Sequence, residues 1–116
     1  MPSESLPPAR RIRRRGEFQR VFDAGRRAHG RYLTIIATPA AGAASRLGIV
    51  ASRKLGGAVV RNRAKRLIRQ VFRSEPGPAT PSDLVVIPKA AVTKVNATHV
   101  ASDYQMTLKR LGLSNR

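Results

Sequence analysis

From Ala58 onward the apolar positions recur with the period of a helix. At 100° per residue, Val60, Ala64, Leu67, Ile68 and Val71 fall within about 100° of one another, the width of a core-facing stripe. Asn62, Lys65, Arg66, Arg69 and Arg73 gather on the opposite side. Arg61 and Phe72 mark one border between the stripes, and Arg63 and Gln70 the other. Upstream, Glu17–Ala24 reads as a short helix with Phe18, Val21 and Phe22 on one face and Gly25 as its stop. Tyr32–Thr38, ended by Pro39, reads as a strand, and Ala40–Ser45 as a loop of small residues. Leu47–Ser52 alternates as a second strand, and Arg53–Gly57 links it to the basic helix.

Pro76, Gly77, Pro78 and Pro81 make Ser74–Ser82 irregular, and Leu84–Ile87 is a short apolar strand that stops at Pro88. A last helix runs from about Thr98 to Leu111, with Val100, Tyr104, Leu108 and Leu111 on one face. The predicted order is α-β-β-α-β-α. The strand, helix, strand run from Leu47 to Ile87 implies a crossover connection. The expected fold is therefore an α+β two-layer sandwich with its helices on one face of a small sheet. Residues 1–15, with Pro7-Pro8 and an arginine block from Arg10 to Arg15, read as a flexible basic arm preceding one domain over 16–116.

Charge changes the meaning of the 61–73 segment. The chain has 116 residues, with 23 Lys and Arg against 6 acids, a formal net charge of +17. Residues 61–73 hold no acid, and their cations stand three or four apart in like-charge pairs: 61/65, 65/69, 69/73, 63/66 and 66/69. At roughly 0.2–0.5 kcal/mol each, these pairs cost about 1–2.5 kcal/mol in an isolated helix. A merely solvated face would intersperse acids, so a surface that meets phosphates is the better account. No apolar run approaches the ~20 residues of a membrane span. The Pro- and Arg-rich start does not look like a secretory signal. There is no cysteine, which excludes disulfides and thiolate chemistry. A cytoplasmic nucleic-acid-binding protein is the simplest class.

Chemistry borne by the chain itself finds little support. His29 and His99 sit in unrelated segments, and Glu4, Glu17, Asp23, Glu75, Asp83 and Asp103 are scattered singly. No catalytic residue and no metal ligand set is assigned. Binding groups are plentiful: arginine forks suit phosphate oxygens, Asn62 adds a neutral donor and acceptor, and Phe18, Phe22 and Tyr32 could stack on unpaired bases. For the two phenylalanines, helical periodicity points first to core packing.

The run Leu47-Gly48-Ile49-Val50-Ala51-Ser52-Arg53-Lys54-Leu55-Gly56-Gly57-Ala58-Val59-Val60-Arg61-Asn62-Arg63-Ala64-Lys65-Arg66-Leu67-Ile68-Arg69 closely resembles the signature of the bacterial ribonuclease P protein component. The basic start, followed by Phe18, Phe22 and Gly25, is similar to that family too. The resemblance implies an α+β sandwich with a left-handed βαβ crossover, an exception to the usual hand. It also implies a holoenzyme that is an endoribonuclease, in which an RNA subunit with bound Mg2+ does the chemistry. The protein binds that RNA, one protein per RNA, and the 5′ leader of precursor tRNA, which is then removed.

By the same resemblance, Arg61, Asn62, Arg63, Lys65, Arg66 and Arg69 match an Arg-rich helix facing the catalytic RNA, and Arg53 and Lys54 a basic turn beside it. Arg73 extends this cationic face by its position on the helix. Phe18 and Phe22 match a cleft for the leader; Tyr32, Ile36 and Lys89 are the other residues assigned to it. Three positions depart from the family pattern. Gly57 replaces a polar residue, Ile36 falls where an aromatic is frequent, and Gln70 replaces a frequent Glu. Pro88-Lys89-Ala90 also differs from the usual Ala-Arg stretch, with Lys89 the candidate to supply the charge. The competing readings are a structural RNA-binding protein of ribosomal type, a DNA-binding or architectural protein, and a protein-only nuclease.

Overall fold

The computed structural model describes residues 6–114. Helix α1 (Arg15–Ala24) is followed by strands β1 (Arg26–His29), β2 (Leu33–Pro39) and β3 (Arg46–Ile49). Helix α2 (Ala58–Ser74), strand β4 (Ser82–Pro88) and helix α3 (Ala97–Arg110) complete the chain. The anticipated order is present, with one addition. Strand β1, Arg-Arg-Ala-His, has no apolar alternation for a sequence pattern to find. It exists because its backbone pairs with β2, from Arg26 opposite Ala37 to His29 opposite Thr34. Strand β3 is shorter than the expected Leu47–Ser52, although the Val50 amide still donates to the Val86 carbonyl at 3.0 Å.

The strands form one sheet in the order β1-β2-β4-β3. The first two pairings are antiparallel, and β3 lies parallel to β4. Parallel neighbours need a long connection, and α2 is that connection. Strands β2 and β4 read as continuous apolar runs because both of their faces are covered. Leu33, Ile35, Ala37, Leu84 and Val86 join Ala64, Ile68, Val71 and Phe72 of α2 and Val100, Tyr104 and Leu108 of α3 in the main core. Ile36 and Val85 point the other way, toward Val21 of α1. The helices are thus not all on one face: α2 and α3 share one, and α1 crosses the other.

The basic arm is also corrected. Residues 6–14 pack against the domain, with Leu6 and Ile12 only 3% and 4% exposed. The Ile12 amide donates to the Leu47 carbonyl at 2.9 Å, and Arg10 Nε donates to the Ser45 carbonyl at 2.6 Å. The Arg10 guanidinium lies 5.4 Å from the centre of the Phe72 ring, a cation–π contact that closes the core at that corner. Two buried apolar residues, Leu6 and Ile12, with the unpaired edge of β3 to bind, outweigh the self-repulsion of the block. The arm's first five residues lie outside the described ones.

One ionic cluster ties α1 to the sheet. Asp83 of β4 is fully buried; it accepts from Arg46 Nε at 3.1 Å and Nη2 at 2.9 Å, and also from Arg20 of α1. Arg46 Nη1 donates in turn to Glu17 Oε2 at 2.8 Å. Glu17 stands three residues inside the helix from Arg14, and its other oxygen accepts the Arg14 amide at 3.2 Å, satisfying a helix N-terminus. The Arg46 hydrogen bond, with that from Arg14, pulls the Glu17 pKa from 4.5 down to about 2. Asp83, first among its partners, pushes the Arg46 pKa upward.

Two outcomes follow from this cluster. Asp83→Ala strands Arg46 without its main partner and should cost about 3–5 kcal/mol in urea denaturation. Because the Glu17 pKa is lowered on folding, its contribution is fully present above pH about 4.5 and fades as pH falls toward about 2. Stability measured across that window should therefore drop less steeply in Glu17→Gln than in the parent chain.

Candidate RNA interface

The turn before α2 prepares the helix for an anion. Arg53–Leu55 forms a single 3-10 turn, and Gly56 follows at φ +145°, a backbone conformation suited to glycine. A side chain at Gly56 would also press on Val60, 3.0 Å from the added carbon. Gly57 occupies the N-cap without a side chain to offer, and the first turn of α2 contains no acid. The opening N–H groups of α2 are left without a side-chain cap, at the positive end of the helix dipole. Arg53 and Lys54 stand exposed beside them. Glycine at this position thus leaves the backbone amides uncovered by a capping side chain.

Along α2, Ala64, Ile68, Val71 and Phe72 are buried. Asn62, Arg63, Arg66, Gln70 and Arg73 are exposed, and Arg61, Lys65 and Arg69 are half-buried. The two-stripe reading holds with one adjustment: Phe72 belongs to the core, at 5% exposure, under the cover of Arg10. Among the described residues, Arg53, Lys54, Arg61, Arg63, Lys65, Arg66 and Arg69 have no ion-pair partner, since Glu17 and Asp83 are taken by Arg20 and Arg46. The repulsion within this face is held in check only by the packing of the opposite one.

Lys65 and Arg69 also line a cavity of about 130 Å³ between α2 and α1, together with Arg11, Ile12, Phe18, Gly48 and Ile49. The Phe18 ring packs closely on the β3 backbone: a carbon added at Gly48 would be 2.7 Å from its Cε1. Phe18, Phe22, Val50 and Ile87 are half-buried around the smaller core. The strand register puts His29, Thr34 and Ile87 in one row on the face that α1 crosses. An apolar, partly open surface therefore adjoins the cationic stripe.

The other cleft assignments fare differently. Ile36 is 1% exposed, beneath α1, where no base could stack on it. Tyr32 and Lys89 lie at the far end of the β2–β4 ladder. The Lys89 amide donates to the Tyr32 carbonyl at 2.9 Å, and Lys89 Nζ to the Gly30 carbonyl at 2.6 Å. The Tyr32 ring meets His99 of α3 edge-on, with centroids 6.5 Å apart. Tyr32 is held there by its own amide, which donates to Asp103 of α3 at 2.8 Å. Only Phe18 and Phe22 are brought together at the cleft.

Sequence reasoning missed Arg11, Val50 and Ile87. Val50 was recoverable from strand alternation, since it shares the Gly48 face. Arg11 became visible only through its bridge to Leu47. Its buried Nε finds no hydrogen-bond partner among the described residues, beside the same cavity.

Among the described residues, no three His, Cys, Asp or Glu side chains gather as a metal site. Glu17 and Asp83 are spent on arginines, and Asp103, at the β1–β2 loop, on backbone amides. No described helix is long and apolar enough to cross a membrane. The Ribonuclease P family model matches residues 6–112. The chain belongs to this family. It is 42% identical over 111 residues to the ribonuclease P protein component of Beutenbergia cavernae, covering 93% of this chain and 92% of that one. Its identity to the Syntrophomonas wolfei component is 35% over 107 residues, covering 91% and 90%.

Solved structures agree with the fold. The Staphylococcus aureus RNase P protein superposes with a TM-score of 0.80 at 28% identity, covering 91% of this chain and 98% of that one. The Thermotoga maritima RNase P protein gives 0.75 at 32% identity, covering 86% and 96%.

The two stripes of α2 should separate experimentally. Ile68→Ala, on the buried stripe, should lower stability by about 2–5 kcal/mol in urea denaturation. Arg66→Ala should leave the thermal midpoint in place and weaken RNA binding. It should also reduce the slope of log affinity against log salt by about 0.9 for each phosphate that Arg66 neutralises, or about 0.7 on single strands.

Proposed function

We propose that this chain is the protein subunit of a ribonuclease P. In this reading it binds the catalytic RNA through α2 and the 5′ leader of precursor tRNA through the Phe18–Phe22 cleft, promoting removal of the leader. The observation that carries the reading is the sharing of Lys65 and Arg69, which lie on the cationic helix and also line the cavity beside Phe18. A groove with an apolar wall and a cationic rim suits a single strand, whose bases stack while its phosphates are neutralised. A cationic helix with an uncapped start suits a folded RNA's backbone.

Glu17, Asp83 and Asp103 do not suit magnesium, because their oxygens are occupied by arginines and backbone amides. Magnesium is assigned to the RNA subunit and its substrate, in the cytoplasm. The protein's own contribution is electrostatic and geometric. A +17 chain at the junction of two RNAs lowers the repulsion between them. A grip on the leader adds affinity that precursor has and mature product lacks, so product leaves more readily. Specificity for precursor then arises from contacts away from the scissile bond.

The decisive experiment mixes the chain with a bacterial ribonuclease P RNA and precursor tRNA at limiting magnesium. The 5′ end should mature faster than with RNA alone, and Phe18→Ala should erase part of the preference for precursor over mature tRNA. Equal rates with and without protein would overturn the proposal.

A further inference from the structure

A second concave site lies away from the cationic helix. Arg31, Tyr32, His99, Ser102, Met106 and Arg110, with Asp103 behind them, line a cavity of about 370 Å³ between the β1–β2 loop and α3. This volume falls within the range of small-molecule sites. It sits near the β1 edge of the sheet, whereas α2 packs toward the β3 edge.

The site is rigidly built. Asp103 accepts the Arg31 amide at 2.7 Å and the Tyr32 amide at 2.8 Å, fixing the loop onto α3. Gly30 is buried against Asp103 and Thr107 so closely that a side chain there would collide with both. Lys89 Nζ holds the Gly30 carbonyl at 2.6 Å, and Arg110 holds the His29 carbonyl. The one acid in the wall thus spends its charge on backbone amides, leaving two guanidiniums to set the sign of the field. Tyr32 and His99, both in the wall, stand at 84° to each other. Met106 is 51% exposed, one of two large apolar side chains left so open among the described residues.

We propose that this cavity binds one nucleotide unit, with its base against Tyr32, His99 and Met106 and its phosphate between Arg31 and Arg110. Aromatic rings and a thioether accept the flat apolar surface of a base, and guanidinium forks accept phosphate oxygens. A cationic ligand would meet two arginines, and an aliphatic acid would leave the rings unused. The unit can come from a free nucleotide or from an unpaired position in an RNA strand, since the recognised chemistry is the same.

An NMR titration of the full chain with adenosine 5′-monophosphate, ribose 5-phosphate and a short unstructured oligoadenylate tests this. Adenosine 5′-monophosphate should saturably shift the amides of Arg31, Tyr32, Ser102 and Met106, and ribose 5-phosphate should bind far more weakly. His99→Ala and Arg31→Ala should each weaken binding about fivefold or more without moving the thermal midpoint. Matching shifts with the oligonucleotide support a site for RNA strands, and shifts with the mononucleotide alone support one for free nucleotides. Shifts confined to α2 and the Phe18 cleft, equal binding of ribose 5-phosphate, or unchanged affinity in both variants would overturn the proposal. None of these readouts requires cleavage activity, so they stand or fall independently of the ribonuclease P reading.

Discussion

Asp83 is a buried carboxylate held by two arginines from different elements, and through them it fixes how α1 and β3 sit against β4. Arg20 pulls α1 down across β4, while Arg46 fixes β3 alongside it and reaches Glu17 at the start of α1. Taking such charges out of water is costly, and the geometry repays it only when every lone pair is used. Here the carboxylate oxygens meet the guanidiniums from the side of α1 and β3. With α1 set in this way, Phe18 comes to rest on Gly48, and the cleft acquires its floor and wall.

The same logic of opposed demands runs along α2. One stripe is drawn into the core by burial, and the other is pushed apart by its own charge. Burial prevails because Ala64, Ile68, Val71 and Phe72 are each worth more in the core than a like-charge pair costs on the surface. The helix is therefore stable as a platform while its outer face remains short of counter-charge. Binding a polyanion relieves that shortage without asking the backbone to move.

Much of this was legible in the order of residues alone. The period of 3.6 residues in α2 separated its buried residues from its cationic ones, and the signature from Leu47 to Arg69 pointed to the family. What escaped has specific physical causes. Strand β1 is made by pairing rather than by side-chain pattern, so nothing in the sequence marked Arg26–His29 as a strand. The arm looked free because its arginines outnumber Leu6 and Ile12, yet two buried apolar side chains and an open strand edge decide its position. Tyr32 was drawn to the cleft by its residue type and Lys89 by the resemblance, whereas the Asp103 carboxylate on a distant helix fixes the loop at Tyr32 and Lys89 bonds to that same loop.

A four-stranded sheet has two edges, and both carry arginines. Strand β1 carries Arg26 and Arg27 at one edge, and the segment around Arg10 and Arg11 lies along β3 at the other. Unpaired edges invite pairing with other copies, and positive charge discourages it. The arginines at both edges thus act as guards against fibril-like stacking of the protein on itself. That protection is electrostatic, so it is strongest in dilute salt and weakens as the ions around the protein become more concentrated.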